Sequence, residues 1–356
     1  DEIYVDPLGS VLVDGYSRYR WYYKGILDKL NVDINVFRVG KYKSAVEDYT
    51  RTDMSPEDRE ESQAYLNALW SGYQEAVDKA RGLPAGSMAR YITSLPQAAV
   101  AARGSAAQVA LNAHLVTGIK TAPQVEERIA EITAADTDNG FRQVSAQDYA
   151  RVVHAGTALG RHDQNRVAVI VAEGEILDGS QPPGTIGGDS MTHLLRVARQ
   201  DDRIKAVVLR VDSPGGSVTA SEQIYREIRA LRKAGKPVVV SMSNYAASGG
   251  YYISAPADEI WANPATITGS IGIFAEMPNI NRTLSKFGVG VDGLGTTPLS
   301  GILRPDVPLS AASRTLLQSN VDYGDSQWRL RGSTGRHKTP AQIDGIAQGR
   351  VWAGVY

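Results

Sequence analysis

The segment DEIYVDP at residues 1–7 returns as DEIWANP at 258–264, and the same offset of 257 then continues without a gap. It pairs Asp1 with Asp258, Glu2 with Glu259, Ile3 with Ile260, Pro7 with Pro264, Gly15 with Gly272, Leu27 with Leu284, Lys29 with Lys286 and Val32 with Val289. Eight identities in 32 positions stand against the roughly two that ordinary residue usage produces by chance. An internal repeat limits the architecture before any residue-level reading does. This chain is expected to hold the back part of one unit and most of a second. Further on, MSPEDREESQAYLNALWSGYQEAV and LSAASRTLLQSNVDYGDSQWRL answer each other as helices at an offset reduced to 255. In the first, Ser55 is the expected N-cap with Pro56 at the first helical position. Leu66, Leu69, Tyr73 and Val77 share a face, and Gly82 stops the helix.

At 356 residues, with 42% hydrophobic and 22% charged residues, the chain has room for two cores. A formal charge of −1 gives no electrostatic reason to expect a nucleic acid partner. The absence of cysteine excludes a disulfide framework, a thiolate metal site and a cysteine nucleophile. There is no apolar run of about 18 residues and no charged-then-apolar leader. The chain opens inside a strand pattern and ends on GRVWAGVY, so it reads as an internal slice of a longer protein.

Residues 83 to about 160 read as an Ala-rich, helical linker region. From Asn165 the pattern changes. RVAVIVAEGEI is a buried strand, MTHLLRVARQ a helix, and residues 204–242 read as strand, glycine turn, helix and strand. Apolar strands alternating with helices of about 10 to 15 residues indicate βαβ units and an α/β layered domain.

Two strand-to-helix junctions carry the chemistry. In VVLRVDSPGGSV a strand delivers the chain to Gly215-Gly216 before a helix that starts near Val218. Glycines there permit a tight turn and leave N–H groups free at a helix N-terminus, which suits an oxyanion. In VVVSMSNYAASGGYY, Ser248 stands at the next such junction among small residues. A lone Pro-Gly-Gly turn is usually only a turn, and a lone serine there usually only an N-cap. As a pair at adjacent parallel strand ends they favour acyl chemistry. The spacing is not the Gly-x-Ser-x-Gly elbow, since Ala246 takes the first glycine position. None of His114, His154, His162, His193 and His337 adjoins a glycine-rich strand end with a carboxylate positioned nearby, so each reads as a surface or structural histidine. A lysine is the remaining base for a serine, but spacing alone does not say which lysine.

VDSPGGSVTASE, AASGGYYIS, NPATITGSIGIF and FRVGKYKSAVEDY closely resemble the signal peptide peptidase A (protease IV) family in its long, tandem-domain form, nearly end to end. The resemblance implies an α/β fold of tandem Clp protease/crotonase-like repeats of stacked βαβ units with helical extensions. It implies Ser248 as nucleophile, Lys43 as base (Lys41 falling outside the motif), and Ser270 as the residue that holds the lysine by a hydrogen bond. The oxyanion hole falls to Gly215 or Gly216 and to Gly249. The expected activity is that of a serine endopeptidase with a Ser-Lys dyad, which cuts cleaved signal peptides and other apolar, unfolded segments and needs no metal or cofactor. A homotetramer on the periplasmic face of the bacterial inner membrane is implied, anchored by a segment absent here.

The repeat agrees with this division of labour. At an offset of 257, Lys43 falls opposite Ser300 and Ser270 opposite Val13, so the two copies differ where chemistry would sit. Residues 1–160 are expected to carry the base and 161–356 the nucleophile, with the site where the two meet and the lysine within hydrogen-bond reach of the serine. Two rivals share parts of this pattern. A crotonase-type acyl-coenzyme A enzyme would use the glycine-rich hole without a Ser-Lys pair, and a non-catalytic membrane-associated scaffold would need neither.

Overall fold

In a computed structural model, described for residues 2–136, 140–158, 165–294, 297 and 299–356, the chain forms two compact units. One comprises residues 1–16 and 70–164, the other residues 17–69 and 165–356. These units cut across the repeats. The segment that carries Lys43 groups with the segment that carries Ser248, so the meeting of the two repeats lies inside one compact unit. The expected boundary at 160/161 lies outside the described residues.

The smaller unit is more than a linker. Its helices Ser87–Ala101, Ala106–Asn112 and Ala122–Thr133 accompany a short parallel pair, Tyr4–Val5 with Gly118–Ile119. Met88, Tyr91, Val109 and Leu115 form its own core, against which Val11 and Val13 pack. The Asp78 carboxylate accepts the N–H groups of Gly86, Ser87 and Met88 at 2.7–3.1 Å and so satisfies the open start of the Ser87–Ala101 helix.

The larger unit is built on a six-stranded sheet. Arg166–Glu173, Ile204–Ser213, Val238–Ala247 and Ile267–Gly269 run parallel in that order, Glu259–Trp261 also pairs parallel with Val238–Ala247, and Val351–Ala353 closes the edge antiparallel. Along Ile204–Ser213 the period of two puts Val207, Leu209 and Val211 in the core. Helices Gly188–Gln200 and Val218–Lys233 bury Leu195, Ile224, Ile228 and Leu231 in the same cluster. As in open parallel sheets generally, the strand ends carry the loops of interest.

The repeat is present in the backbone. Tyr23 N–H donates to Asp48 O at 2.6 Å, and its counterpart Ile280 donates to Pro305 at 2.7 Å. Val32 donates to Leu27 and Val289 to Leu284, both at 2.9 Å, so the helices Lys24–Leu30 and Asn281–Lys286 end alike. The long helices Pro56–Ala80 and Ala311–Arg336 start 255 residues apart, behind Ser55 and Ser310, whose hydroxyls accept Asp58 N–H (3.1 Å) and Ser313 N–H (3.0 Å). Asp33–Arg38 of the first repeat pairs antiparallel with Phe274–Asn279 of the second. No helix among the described residues is long and apolar enough to cross a membrane.

Leu209 is fully buried, whereas Val169 on the neighbouring strand is 67% exposed. Leu209→Ala is expected to cost about 2–5 kcal/mol of unfolding free energy and Val169→Ala about 0.5 kcal/mol or less, read as shifts of the urea midpoint at unchanged m-value.

Candidate active site

The parallel strands Ile204–Ser213 and Val238–Ala247 end side by side, with Ser213 opposite Ala246. Beyond the first, Gly215 and Gly216 hold φ of +105° and +148°. A Cβ on Gly216 would fall 2.0 Å from Ile176 O, and one on Gly215 would fall 2.6 Å from Gly249 N and 2.8 Å from Ser248 Cβ. Only glycine permits this approach. The Gly215 N–H is spent on Ser213 Oγ at 3.1 Å. Among the described residues, no acceptor meets the N–H of Gly216 or of Gly249, the first residue of the helix Gly249–Ser254. These two amides, rather than that of Gly215, are free for an anion.

Ser248 ends the second strand at φ +50°, ψ −120°, a conformation that costs a non-glycine residue on the order of 1–3 kcal/mol. It is held there because its N–H donates to Gly269 O at 2.8 Å and its carbonyl accepts the Tyr252 N–H at 2.9 Å. Although it occupies the N-cap position, its side chain makes no capping bond. The Oγ instead lies 3.3 Å from Lys43 Nζ.

Lys43 reaches this point through a tightly packed turn. Gly40, at φ +93°, lies against the Gln348 backbone, where a Cβ would clash at 2.4 Å, and the Tyr42 N–H donates to Gln348 O at 2.9 Å. Gly349 packs so closely on Lys43 that a Cβ would sit 2.6 Å from the lysine nitrogen of the backbone. Nζ donates to Ser270 O at 2.8 Å and contacts Ser270 Oγ at 3.0 Å. Ser270 in turn is fixed by its N–H to Arg350 O at 2.6 Å. The lysine is 4% exposed. Burial lowers its pKa to about 8, against the opposing pull of the Glu61 and Asp325 charges. Lys41, by contrast, is exposed and lies 4.9 Å from the Tyr42 ring.

Two buried acids behind the lysine were not legible in the sequence. Glu61 Oε2 accepts the Val351 N–H at 3.0 Å, tying the Pro56–Ala80 helix to the strand next to Ser270, and burial raises its pKa to about 7. Asp325 is paired with Arg329 at 2.9 Å, and burial raises its pKa as well. Beside Ser248 a small cavity of about 60 Å³ is lined by Val218, Tyr252, Ile273, Phe274 and Trp328 together with Gly216 and Gly249. No described histidine lines it, while the His154 side chain and His162 lie outside the described residues. An amine whose pKa is lowered to about 8, so that a substantial fraction is neutral near that pH, a hydroxyl within its reach, and two unpaired amides beside that hydroxyl can together accept a proton, form a bond to a carbonyl carbon and hold the resulting oxyanion.

The α/β sheet with this site at its strand ends has a Clp protease-like fold, and residues 162–261 match the Clp protease family profile. Residues 1–135 and 230–355 match the profile of peptidase family S49, and the chain belongs to that family. It is similar to Protease 4 of Salmonella typhi (41% identity over 355 residues, 99% of this chain and 56% of that protein) and to Protease 4 of Haemophilus influenzae (38%, 99% and 57%). It is also similar to the chloroplastic serine protease SPPA of Arabidopsis thaliana, at 27% identity over 99% of this chain and 52% of that protein. The chain thus spans little more than half the length of these relatives.

The lysine links the site to stability. With a folded pKa of about 8 against an ordinary 10.5, the unfolded chain binds more protons between those values, so stability attributable to Lys43 rises with pH across that window. Below pH 8 the full penalty, on the order of 3 kcal/mol, is present. Lys43→Met is expected to leave the urea midpoint at pH 7 unchanged or higher, and to gain less than the parent between pH 8 and pH 10. Glu61→Gln keeps an acceptor for Val351 while removing a negative charge that favours the ammonium form. It should move the Lys43 titration, followed by NMR of a labelled Lys43 Nζ, below about pH 8.

Proposed function

We propose that the chain is the peptidase unit of a serine endopeptidase that uses a Ser248–Lys43 dyad. The observation that carries this reading is the 3.3 Å approach of a buried, low-pKa lysine to a serine held in a strained turn. Neutral Lys43 takes the Ser248 proton as Oγ attacks the scissile carbonyl carbon. The Gly216 and Gly249 amides stabilise the oxyanion that forms, and Gly215 contributes the close approach rather than a donor. Collapse breaks the C–N bond, the departing amine takes its proton from Lys43, and an ester on Ser248 remains. The same lysine then removes a proton from water, which attacks the ester, and returns that proton to Ser248 Oγ as the C–O bond breaks and the acid leaves. Ser270 keeps Nζ aimed at Oγ through two contacts at 2.8 and 3.0 Å.

Substrates in this reading are cleaved signal peptides and other apolar, unfolded segments. The small, aromatic-lined cavity beside Ser248 suits a small apolar side chain next to the cut bond. Residues 1–160 and 161–356 remain the proposed division by repeat, with base and nucleophile on opposite sides of it. Assembly into a homo-oligomer, a tetramer in the long form of the family, at the periplasmic face of the bacterial inner membrane belongs to the same proposal.

A fluorophosphonate should label Ser248 alone, and Ser248→Ala should abolish both labelling and hydrolysis of a quenched apolar peptide. Lys43→Met should lower kcat/KM by at least about 10³-fold, since proton transfer and lysine positioning are lost together, while Lys41→Met stays within about twofold of the parent, as expected of an exposed residue outside the site. The kcat/KM of the parent should rise with pH through about 8, where the lysine loses its proton. Labelling that persists in Ser248→Ala, or an active Lys43→Met, removes the dyad.

A further inference from the structure

Tyr252 serves the site beside Ser248 in two ways. Its N–H donates to the Ser248 carbonyl at 2.9 Å, and its ring lines the small cavity next to that serine. Trp328 forms another wall of the cavity and meets Tyr252 edge-on, with ring centroids 5.0 Å apart and planes at 90°. Tyr251 stacks on the same indole at 5.9 Å. The room left for a substrate side chain, about 60 Å³, therefore depends on where the Tyr252 and Trp328 rings stand.

Both rings are held from behind by one carboxylate. Tyr252 is buried, so its hydroxyl needs a partner inside the protein, and it donates to Glu222 Oε2 at 2.5 Å. The same carboxylate takes the Arg331 guanidinium in a two-pronged grip, Nε to Oε2 at 2.7 Å and a terminal nitrogen to Oε1 at 2.9 Å. Arg331 stands three residues beyond Trp328 in the helix Ala311–Arg336, a spacing that puts both on one face. Its other terminal nitrogen donates to Gln327 Oε1 at 2.8 Å, and Arg226 Nε adds a further bond to Glu222 Oε1 at 2.7 Å. Burial by itself favours the protonated acid, but the bonds from Tyr252, Arg331 and Arg226 prevail, and the Glu222 pKa lies below its ordinary value. Glu222 does not line the cavity, whereas Val218, one turn before it in the helix Val218–Lys233, does. An ionised side chain outside the cavity thus ties its Tyr252 wall to the helix that carries its Trp328 wall.

We infer that Glu222 is a positioning residue of the proposed reaction: through Tyr252 and Arg331 it fixes the gap between the two aromatic walls and so selects a small apolar side chain next to the cut bond. The inference rests on the proposed Ser248–Lys43 dyad and on the cavity as the seat of that side chain, and it deepens both. Without the carboxylate, the Tyr252 hydroxyl and the Arg331 guanidinium lose their shared acceptor. The two rings are then free to part, and a larger side chain enters where only a small one fitted. Discrimination by size in an apolar pocket rests on walls that do not yield.

The test uses two quenched peptides that differ only in alanine or leucine on the acyl side of the cut bond, together with the rate of fluorophosphonate labelling of Ser248. In Glu222→Ala the labelling rate should stay within about threefold of the parent, because the reagent needs the dyad but not the cavity, while the alanine-over-leucine ratio of kcat/KM falls by about tenfold or more. The loss on the alanine peptide should lie mainly in KM, as expected when binding and not proton transfer is weakened. Tyr252→Phe, which keeps the ring and removes the hydroxyl, should lower the ratio likewise, and the double variant should lower it no further than Glu222→Ala does, since the two changes break one link. An unchanged ratio in Glu222→Ala or in Tyr252→Phe overturns the inference and leaves the dyad standing. So does an equal fall of labelling and of both peptide rates at a constant ratio, which marks a residue needed only for the fold. If Glu222→Ala shows no cooperative urea transition, Tyr252→Phe decides alone. A parent whose Ser248 is not labelled, or that cuts the two peptides equally well, overturns the dyad or its small-side-chain seat respectively, and this inference with it.

Discussion

The larger unit is arranged around one amine kept out of water. Lys43 Nζ sits in a buried pocket where Ser270 supplies a carbonyl and a hydroxyl and Ser248 a second hydroxyl. Taking an ammonium from water into such a place is expensive, and the group answers by giving up its proton more readily. Depressed basicity and a fixed position arise from the same burial. The Glu61 and Asp325 charges limit the effect, holding the pKa near 8 rather than letting it fall further.

Keeping that amine in place requires backbone to meet backbone. Gly40 lies on Gln348, Gly349 on Lys43 and Gly215 on Ser248, each at a distance that a side chain would forbid. The turn that ends in Lys43 and the segment 348–351 thus close on each other, and Glu61 pins the far side of that segment through Val351. Strain is stored at Ser248 and Ser270, both with positive φ, and is held by ladder hydrogen bonds to Gly269 and Arg350. In the proposed mechanism this rigidity orients base and hydroxyl before substrate arrives.

The repeat explains why the site is split between distant parts of the sequence. Each copy keeps the same helix ends and caps, with matching hydrogen bonds at Tyr23 and Ile280 and matching caps at Ser55 and Ser310. The copies differ in sequence at the site, since at the offset of 257 Lys43 aligns with Ser300 and Ser270 with Val13. A strand from each copy pairs across the join, Asp33–Arg38 with Phe274–Asn279, and this carries the Lys43 turn to the end of the sheet. In the proposed mechanism the chemistry therefore depends on how the copies meet, while each copy retains the local rules of its fold.

Much of this architecture follows from local sequence. The strand IKAVVLRVDS, the cap at Ser55 and the glycines before Val218 are decided within a few residues by burial, capping and φ, and they could be read in advance. The α/β class and the membership of family S49 were legible for the same reason, since motifs are contiguous. What the sequence alone did not determine are the distances across it. That Glu61 and Asp325 are the acids behind Lys43, that Gly349 forms its floor, that Gly215 spends its N–H on Ser213, and that residues 83–136 pack a core of their own are consequences of which surfaces exclude water together. Burial and electrostatic coupling depend on three-dimensional proximity, and residues as far apart as 43, 61, 270 and 349 come together only when the chain has folded.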